Sequence, residues 1–568
     1  MAIQRFKVAL NNAEMPLVST KAQRAVFIPG LDAAPRTPRV FMGADTAADY
    51  NMTQVIYAEN VMPAAEGIKS VGYGSLIAGV AEETAFNTVF PLRDEVENYV
   101  LYSPAKNKNY VHDPATNLWA PLGDLETIYA KTLHADCDPE AATITYAYVD
   151  GKTFVCYARM RSDETTPTDM SLLQWNAATK TLGLATIVTN LPFAAGEIDG
   201  ISSSAGYLIV WSGLTIAWAP FTGAAFDFQI YTAGAFTGAG FQIPEDIQAP
   251  ITAIIGMSGG FVAFTKRNAI AASYHAQSIA SPWVFREVPD AGGLESYEQA
   301  TVEGSLSRLV AYTSAGVQTI SLNSAELTHP EVADFITGRQ IEKYDFATRQ
   351  LTRGYSSVDL FVKVTSIGNR YVVVSYGYYP GVYSYALVWD IALKRWGKLR
   401  IKHVDCFTYV YDPATQPITY SMMIDVTYDE VADVAYEDMS VANSTITAAQ
   451  NAMAFMKSNG EVVLATWSER LGAEDQAVAI IGRVQLTRSR NVQLNRIEAE
   501  GMYAGNVYVQ SSSNGRNIDY VHTPVEVERT ANYLAAGCMI DCKNFNLVVE
   551  GAFDLSTVVL EAIPTGQV

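Results

Sequence analysis

A serine in the pattern Gly-x-Ser-x-Gly is the first residue whose setting could do chemistry. The pattern covers residues 256–260, with Ser258 at its centre. A nucleophilic serine of this kind needs a strand before it and a helix after it, because the sharp turn between them exposes the hydroxyl group. Residues 261–264 (FVAF) form an apolar, strand-like run instead of a helix. The pattern therefore favours a hairpin turn over a hydrolase nucleophile.

Two copies of the pattern His-x-Asp-Cys place possible metal ligands close together in the sequence. Imidazole, carboxylate and thiolate groups all bind zinc. Side chains in a strand alternate between faces, so the His and Asp would share one face and the adjacent Cys could not join them. Cys538 and Cys542 form one closely spaced pair of cysteines, and the sequence has no matching second pair to complete a zinc site. We therefore predict no metal site at these residues, which are His134, Asp136 and Cys137, His403, Asp405 and Cys406, and Cys538 and Cys542.

Carboxylates are plentiful enough to suggest glycoside hydrolysis, with Glu197, Asp199 and Glu295 as examples. Glycosidases hold two carboxylates at a defined separation, which a sequence does not give, and solvated acids on turns are the simpler interpretation. Residues 511–515 (SSSNG) faintly resemble a turn box of sialidase propellers, but Asn-Gly is more typical of a hairpin turn. No phosphate-binding loop or dinucleotide fingerprint occurs. We therefore predict no enzyme activity and no catalytic, cofactor-binding or metal-binding residue.

The composition indicates a folded protein with an acidic surface. Of 568 residues, 49% are hydrophobic and 17% are charged, which is too apolar for a disordered chain. A net charge of −20 repels phosphate, so tight binding of nucleic acid is not expected. The five cysteines are too few for a disulfide framework and suit a reducing compartment. The length predicts two or more domains, unless the chain forms a closed ring of repeats.

Targeting signals are not evident in the sequence. The N-terminal residues MAIQRFKVALNNAEMPL have no long apolar core, so a secretory signal is not expected. No run approaches the ~20 apolar residues of a membrane-spanning helix. We therefore expect synthesis and folding in the cytoplasm, with no membrane-spanning segment.

Short apolar tetrads recur at intervals of roughly 50 residues and are the most informative feature of the sequence. Each is apolar throughout, as expected for a strand that is buried on both faces. Turn residues and a second apolar strand follow several of them. The six tetrads occupy residues 99–102, 154–157, 208–211, 261–264, 309–312 and 371–374.

A second repeated feature is an Asp or Asn six residues before a large apolar residue. Asp and Asn start turns by accepting hydrogen bonds from nearby backbone, and the later apolar residue re-enters the core. The pattern predicts a hairpin toward the end of a repeat unit. The three pairs are Asp113 with Trp119, Asn176 with Leu182, and Asp390 with Trp396.

These units predict an all-β protein with a β-propeller of about six to seven blades and a β platform formed by the chain ends. One blade cannot bury both of its faces, and stacking blades in a ring does so while leaving few open sheet edges. An irregular array of β-sandwiches is the alternative. The predicted organisation is an extended platform segment at 1–66, a propeller at 67–423, an acidic excursion and hairpin at 424–470, and a platform domain at 471–568.

Several stretches resemble tail nozzle or hub proteins of short-tailed bacteriophages, in the same order along the chain. They are residues 25–30 (AVFIPG), 59–63 (ENVMP), 66–67, 70–73, 386–397 (ALVWDIALKRWG), 482–486 (GRVQL), 500–501, 513–516 and 549–551. The resemblance implies a propeller flanked by a platform made from both chain ends. It also implies a ring of six copies around a DNA channel, attached to adaptor or portal proteins and to tail fibres.

The same resemblance implies a structural component of the virion tail, synthesised in the host cytoplasm, through which DNA passes without specific binding. Acidic residues along the channel would keep DNA from adhering. Two alternatives stay open. One is a propeller glycan hydrolase with a carboxylate cluster at the central funnel. The other is a carbohydrate-binding adhesin that uses exposed Tyr or Trp side chains as sugar platforms, although most aromatic residues are expected to fill the core.

Overall fold

The structure is a computed structural model of the chain. The residues that it describes are 4–10, 26–27, 55–80, 86–93, 99–105, 108–113, 116–232, 235–276, 281–303, 307–313, 315–329, 332, 336, 340–355, 360–411, 450–467, 471, 476–485, 491–512, 518, 520–542 and 544–565. Before residue 80 the described strands are β1 Gln4–Ala9, β2 Val26–Phe27, β3 Val55–Glu59, β4 Val61–Pro63, β5 Ile68–Ser70 and β6 Gly72–Ile77.

The first three blades are four-stranded antiparallel sheets. Blade 1 contains β7 Phe90–Arg93, β8 Tyr99–Ala105, β9 Lys108–Asp113 and β10 Leu118–Gly123, and the short helix α1 Leu125–Tyr129 follows it. Blade 2 contains β11 Ile144–Val149, β12 Lys152–Tyr157, β13 Leu172–Asn176 and β14 Thr181–Leu184. Blade 3 contains β16 Gly200–Ser204, β17 Tyr207–Ser212, β18 Thr215–Pro220 and β22 Gly240–Gln242. The short strand β15 Val188–Thr189 precedes it, and three more short strands lie between β18 and β22 in the sequence, namely β19 Phe226–Asp227, β20 Tyr231–Thr232 and β21 Ala235–Phe236.

Four more blades complete the ring. Blade 4 contains β23 Ile251–Met257, β24 Gly260–Thr265, β25 Ala269–Tyr274 and β26 Trp283–Glu287. A 3₁₀ turn at Tyr297–Gln299 precedes blade 5, which contains β27 Ala300–Val302, β28 Leu309–Thr313, β29 Gly316–Ile320 and β30 Ala325–His329. The hairpin β31 Gln340–Asp345 and β32 Gln350–Tyr355 precedes blade 6, with β33 Phe361–Ile367, β34 Tyr371–Gly377, β35 Tyr383–Asp390 and β36 Arg395–His403. Blade 7 contains β37 Asp405–Tyr411, β38 Gln450–Met456, β39 Val462–Thr466 and β6.

The six apolar tetrads all lie on the second strand of a blade, which confirms the repeat that they predicted. They fall on β8, β12, β17, β24, β28 and β34. All four residues of the tetrad in β24 are fully buried. Second strands are buried because they lie inside a blade and between two neighbouring blades, so both faces contact apolar side chains.

Within the described residues, seven hydrophobic cores occupy the seven gaps between neighbouring blades. Between blades 3 and 4, for example, Trp211 and Trp218 pack with Phe261. Between blades 7 and 1, Met456 shares a core with Leu101. The blades therefore form a closed ring, and the fold is an all-β, propeller-like one, as predicted.

The ring is closed by residues from before the first blade. Strand β6 pairs with β39, with Ile77 opposite Val462, and so supplies the fourth strand of blade 7. At the start of β37, the Asp405 carboxylate accepts the Thr88 hydroxyl and the Val89 N–H, each at 2.7 Å, next to β7 of blade 1. Chain segments that are distant in sequence thus hold the last blade against the first.

Two further sheets form the predicted β platform from both chain ends. The remaining strands are β40 Val478–Gln485, β41 Asn491–Glu500, β42 Asn506–Ser512, β43 Tyr520–His522, β44 Val525–Arg529, β45 Tyr533–Cys542, β46 Asn544–Glu550, β47 Asp554–Leu555 and β48 Thr557–Thr565. One sheet has the order β1–β48–β41–β45–β44, and the other has the order β2–β40–β46–β42–β43 with β3 also beside β40. A single core containing Val8, Leu494, Phe545 and Leu560 joins them.

The described residues bond the platform to the propeller at several places, of which blade 6 and the β31–β32 hairpin give two. Blade 6 continues through β36 into β4, β5 and β47, with Lys398 opposite Val61. The β31–β32 hairpin contacts the other platform sheet. There the Tyr344 hydroxyl donates to the Glu550 carboxylate at 2.6 Å, and the Arg349 guanidinium lies 3.8 Å from the centre of the Tyr508 ring.

The predicted hairpin near residue 459 is confirmed, since β38 and β39 pair across that turn. Both strands belong to blade 7. The acidic excursion predicted before them lies outside the described residues, which stop at 411 and resume at 450. The bounds of the four predicted segments stay a prediction. No described helix has the length and apolar character needed to cross a membrane.

Candidate functional site

A cleft of about 540 Å³ lies where blade 6, blade 7 and strands β4 and β5 meet. This volume falls within the ~300–1,000 Å³ typical of small-molecule sites. Much of its apolar lining belongs to the core between blades 6 and 7. We name it the cation–aromatic cleft after its other lining side chains, which are Lys69, Asn369, Arg370, Tyr371, Thr466 and Trp467.

The turn between β33 and β34 carries Asn369 and Arg370 and is held from two sides. The Gly368 N–H donates to the Thr408 hydroxyl of blade 7 at 3.1 Å. The Ile391 N–H donates to the Arg370 carbonyl at 2.9 Å. Gly368 has a φ of +53°, a left-handed conformation that favours glycine. The turn therefore presents its side chains to the cleft from a fixed backbone.

Arg370 is oriented by a buried carboxylate. Its Nε and Nη2 atoms each donate to Asp390 Oδ2 at 3.3 Å, and Asp390 is completely buried. The Arg370 guanidinium also lies 4.9 Å from the centre of the Tyr371 ring, a cation–π contact. The Arg370 side chain is 57% exposed, and its Nη1 has no hydrogen-bond partner among the described residues. The Arg370 guanidinium therefore bonds to the protein through Nε and Nη2, and its Nη1 is open to the cleft.

Lys69 supplies a second cation from β5. Its backbone lies opposite Met62 on one side and Asp554 on the other. Burial and the charge of Arg370 lower the pKa of Lys69, and the carboxylates of Asp554 and Asp390 oppose that effect. In the described part of the chain, no carboxylate lies within ion-pair distance of the Lys69 ammonium. This cation is therefore partly desolvated without a direct counter-ion.

Two aromatic side chains complete the cleft. Burial raises the pKa of Tyr371, although Arg370 opposes the effect, so the phenol stays neutral at physiological pH and can donate a hydrogen bond. Trp467 directly follows β39 and contacts Tyr503 edge-on, with ring centres 5.4 Å apart. Aromatic faces of this kind offer a flat, weakly negative surface to polarised C–H groups.

The charge of the cleft is opposite to that of the chain. Lys69 and Arg370 are its charged lining residues, and no Asp or Glu lines it among the residues described. The whole chain carries a net charge of −20. The cleft is therefore a small cationic site on an acidic protein.

Carboxylates just before blade 5 and at the start of blade 7 serve a different purpose. The Lys363 ammonium lies 2.8 Å from Asp405 Oδ1 and 3.4 Å from Glu298 Oε1, and Glu298 also accepts the Tyr383 hydroxyl at 2.9 Å. Asp405 additionally accepts the Thr88 and Val89 donors described above. Because every one of these acids is engaged by protein groups, the cluster ties blades 5, 6, 7 and 1 together.

The sequence motifs with possible chemistry lie away from the cleft. Ser258 lies in the tight turn between β23 and β24, which confirms the hairpin interpretation. His134 and Asp136 contact each other at 3.3 Å in a turn, whereas the His403 Nε2 atom bonds to the Ser375 hydroxyl at 2.8 Å inside blade 6. Among the described residues, no three His, Cys, Asp or Glu side chains are grouped as metal ligands would be.

The remaining candidates are also separated. Asp199 accepts Arg159 Nε at 2.6 Å, whereas Glu295 pairs with Lys266 at the surface at 3.0 Å. Cys538 and Cys542 both lie on β45, and all five cysteines are free thiols. The end of the SSSNG stretch lies outside the described residues. The structure therefore does not bring these groups into one site.

Sequence reasoning missed the cleft because its described lining residues come from five separate stretches of chain. One usable signal was present, since the Asp390–Trp396 pattern that predicted a turn also supplies the carboxylate that holds Arg370. The positions of Lys69 and Trp467 depend on β5 and β6 joining blades 6 and 7. Local patterns contain no information about that pairing.

Comparisons with known proteins give loose structural similarities only. No protein-family model matches the chain, and no curated protein matches it. The extracellular domain of the one-component system BT4673 from B. thetaiotaomicron is similar over 90% of this chain, with a TM-score of 0.37 and 9% identity. The extracellular domain of the hybrid two-component system BT4673 from B. thetaiotaomicron is similar over 91%, with a TM-score of 0.38 and 10% identity. This chain spans 62% of each of those chains.

These findings correct the family interpretation made from the sequence. Both of these structures are extracellular domains of bacterial one-component or two-component systems and not phage tail proteins, and no sequence match supports a phage origin. The predicted resemblance to a tail nozzle protein and the predicted location in a virion tail are therefore wrong. The six-copy ring and its DNA channel were implied only by that resemblance. The stretches behind that resemblance are short, and one of them, residues 386–390 (ALVWD), is part of blade strand β35, which by itself identifies no family.

Proposed function

We propose that this chain is a non-catalytic, glycan-binding β-propeller whose ligand occupies the cation–aromatic cleft. The observation that carries the proposal is the meeting of Tyr371 and Trp467 with Lys69, Asn369 and Arg370 in one cleft of about 540 Å³. Ligand sites are typically concave, largely apolar and equipped with a few convergent polar groups. This cleft has that composition.

A sugar suits both kinds of surface in the cleft. The apolar C–H face of a pyranose ring packs on an aromatic face, and its hydroxyl groups need donors and acceptors at the ring edge. Trp467 and Tyr371 offer the aromatic surface. Asn369 and Thr466 are exposed and offer amide and hydroxyl groups, and Arg370 is already oriented by Asp390. A pre-oriented side chain loses less conformational entropy on binding than a mobile one.

Binding without turnover is favoured over hydrolysis by the positions of the acids. Glycoside hydrolysis requires two carboxylates at the scissile bond. No carboxylate is among the described residues that line the cleft. At the start of β37, Asp405 is 4% exposed and bonded to several protein donors, so it is not available to a substrate. These facts support a binding role.

A glycan array followed by titration calorimetry tests the proposal. We expect the protein to bind a defined subset of glycans and to leave them intact when the products are examined by mass spectrometry. Trp467→Ala and Tyr371→Ala should each weaken binding about tenfold or more, because each removes one aromatic face. Tyr379→Ala is the matched control, since Tyr379 is 71% exposed and lies at a distant turn of the same blade.

Three results would overturn the proposal. They are the absence of binding to any glycan, cleavage of a bound glycan, and equal binding by the wild type and both cleft variants. Thermal unfolding of each variant shows whether lost binding reflects lost fold. If Trp467→Ala unfolds, Trp467→Phe keeps a smaller ring in place and replaces it in the titration.

A further inference from the structure

We infer that the cation–aromatic cleft selects glycans that carry an anionic group, a carboxylate or a sulfate, and that Lys69 and Arg370 receive that group. The inference rests on the proposed glycan-binding function and names its ligand class. It concerns the charge of the cleft, whereas the proposed function rests mainly on shape and aromatic surface.

The charged lining of the cleft is the first argument. Two cations and no carboxylate are found among its described lining residues, although acidic residues outnumber basic residues in the whole chain by 59 to 39. Asp390 offsets part of the Arg370 charge from the protein side, and Asp554 and Asp390 act on Lys69 without forming an ion pair with it among the described residues. An anion in the cleft would supply the counter-charge that its lining lacks.

The geometry of Arg370 is the second argument. Asp390 occupies Nε and Nη2 from the protein side, and the guanidinium is held over the Tyr371 ring. Nη1 has no described hydrogen-bond partner. Guanidinium groups bind carboxylate and sulfate-like oxyanions well because their N–H donors lie in one rigid plane. Arg370 is therefore oriented and still has donors for a ligand.

The state of Lys69 is the third argument. Its ammonium is partly desolvated, and the nearby positive charge of Arg370 further disfavours its charged form. Asp554 and Asp390 face it from β47 and β35 but do not form an ion pair with it among the described residues. A ligand anion would supply the missing counter-charge, and burial would strengthen that attraction relative to one in open water.

Matched glycans that differ only in charge test the inference. Calorimetry would compare a galacturonic-acid oligosaccharide with its methyl-esterified form, and a sulfated galactose oligosaccharide with its unsulfated form. We expect the charged member of at least one pair to bind about tenfold more tightly. Lys69→Gln should bring the affinity ratio of the charged to the neutral member close to one, and an unchanged ratio would contradict the role of Lys69. Lys402→Gln, on an exposed position of β36, is the control and should change neither.

Each outcome separates the two proposals. Preference for the uronate or for the sulfated sugar supports the inference and identifies the anionic group. Equal binding of charged and neutral members overturns the inference but leaves the glycan-binding function intact. No binding of any member, together with a blank glycan array, overturns the glycan-binding function itself. Arg370→Lys, which keeps the charge but loses the planar fork, should weaken anion binding less than Arg370→Gln, and the reverse order contradicts the role of Arg370.

Discussion

Asp390 connects a hairpin turn to the cleft by holding Arg370. Its Oδ1 atom accepts the N–H groups of Ala392 and Leu393 at 3.0 and 2.9 Å, and its Oδ2 atom accepts both Nε and Nη2 of Arg370. Asp390 is completely buried, so these N–H groups and the Arg370 guanidinium compensate its charge, and water contributes little. One carboxylate therefore fixes both the end of β35 and the orientation of a cleft cation.

Asp390→Asn should separate these two roles. An Asn can still start the turn, as Asn176 does in blade 2 by accepting the Ala178 and Thr179 N–H groups. The variant should therefore fold, lose about 1–2 kcal/mol of unfolding free energy and bind the glycan more weakly. Urea denaturation and calorimetry measure the two effects. The control is Asp345→Asn, in an exposed turn of the same type, which should leave glycan binding unchanged; weaker binding by this control as well would contradict the role of Asp390.

Lys363→Met should destabilise the closed ring. Burial alone would lower the pKa of Lys363, but the carboxylates of Asp405 and Glu298 raise it above its usual value. Because the pKa of Lys363 is higher in the folded state, its charge stabilises the fold fully below the unfolded pKa of ~10.5. That stabilisation is lost only as the pH rises through the higher pKa of the folded state. The variant leaves Asp405 buried without its cation, so we expect a loss of about 3–5 kcal/mol at neutral pH by chemical denaturation.

Two further variants check that interpretation of Lys363. Adding Asp405→Asn to Lys363→Met should cost much less than the sum of the single changes, because the buried charge is then removed. Lys266→Met breaks an ion pair whose partners are 62% and 70% exposed, so it should change stability by less than about 1 kcal/mol. Additive effects in the double variant would show that Lys363 and Asp405 act independently.

His403 should make the propeller less stable in mild acid. Burial lowers the pKa of His403 to about 4, and the Lys363 charge adds to that effect. Its contribution to stability is therefore full above the unfolded value of ~6.5 and is lost as the pH falls toward 4. Between pH 7.5 and 4.5 this should remove about 2–3 kcal/mol, which His403→Gln should abolish. Unfolding free energies that change with pH in parallel for the wild type and His403→Gln would refute this role of His403. His134→Gln, at a partly exposed turn, serves as the control.

Ile77→Ala should loosen the ring at its closure. Ile77 is fully buried on β6, opposite Val462 of blade 7. Removing its side chain leaves a cavity in the core between blades 7 and 1, at an expected cost of about 2–4 kcal/mol. Thermal and urea unfolding measure this cost. The control is Leu118→Ala, at a site that is 52% exposed on β10, which should lower the unfolding free energy by less than about 0.5 kcal/mol. Equal losses for Ile77→Ala and Leu118→Ala would count against closure of the ring by β6.

Much of the propeller could be predicted from the sequence because each blade repeats one local pattern. The tetrads marked the second strands of six blades, and the Asp390–Trp396 pattern marked the hairpin between β35 and β36. The seventh blade escaped the pattern, since β38 follows β37 only after a long intervening stretch and its fourth strand, β6, comes from the other end of the chain. Local periodicity cannot reveal a pairing of this kind.

The cleft was harder to predict for the same reason. Lys69, Arg370 and Trp467 become neighbours only when β5 extends blade 6 and β39 pairs with β6. Before folding, Lys69 is one of 39 basic residues, and no short motif distinguishes it. The phage interpretation relied on short turn-and-strand stretches, which specify local turns and strands and do not identify a family.

Structure determination with the tightest-binding oligosaccharide tests the central claim most directly. We expect one sugar ring against Trp467 and Tyr371, with its anionic group within hydrogen-bonding distance of Lys69 Nζ and Arg370 Nη1. A sugar bound elsewhere would contradict it. The most informative alternative site is the exposed pair Tyr231 and Phe236, whose rings lie 5.5 Å apart in the β20–β21 hairpin. A sugar bound to that pair, with the cleft empty, would remove the basis of both proposals.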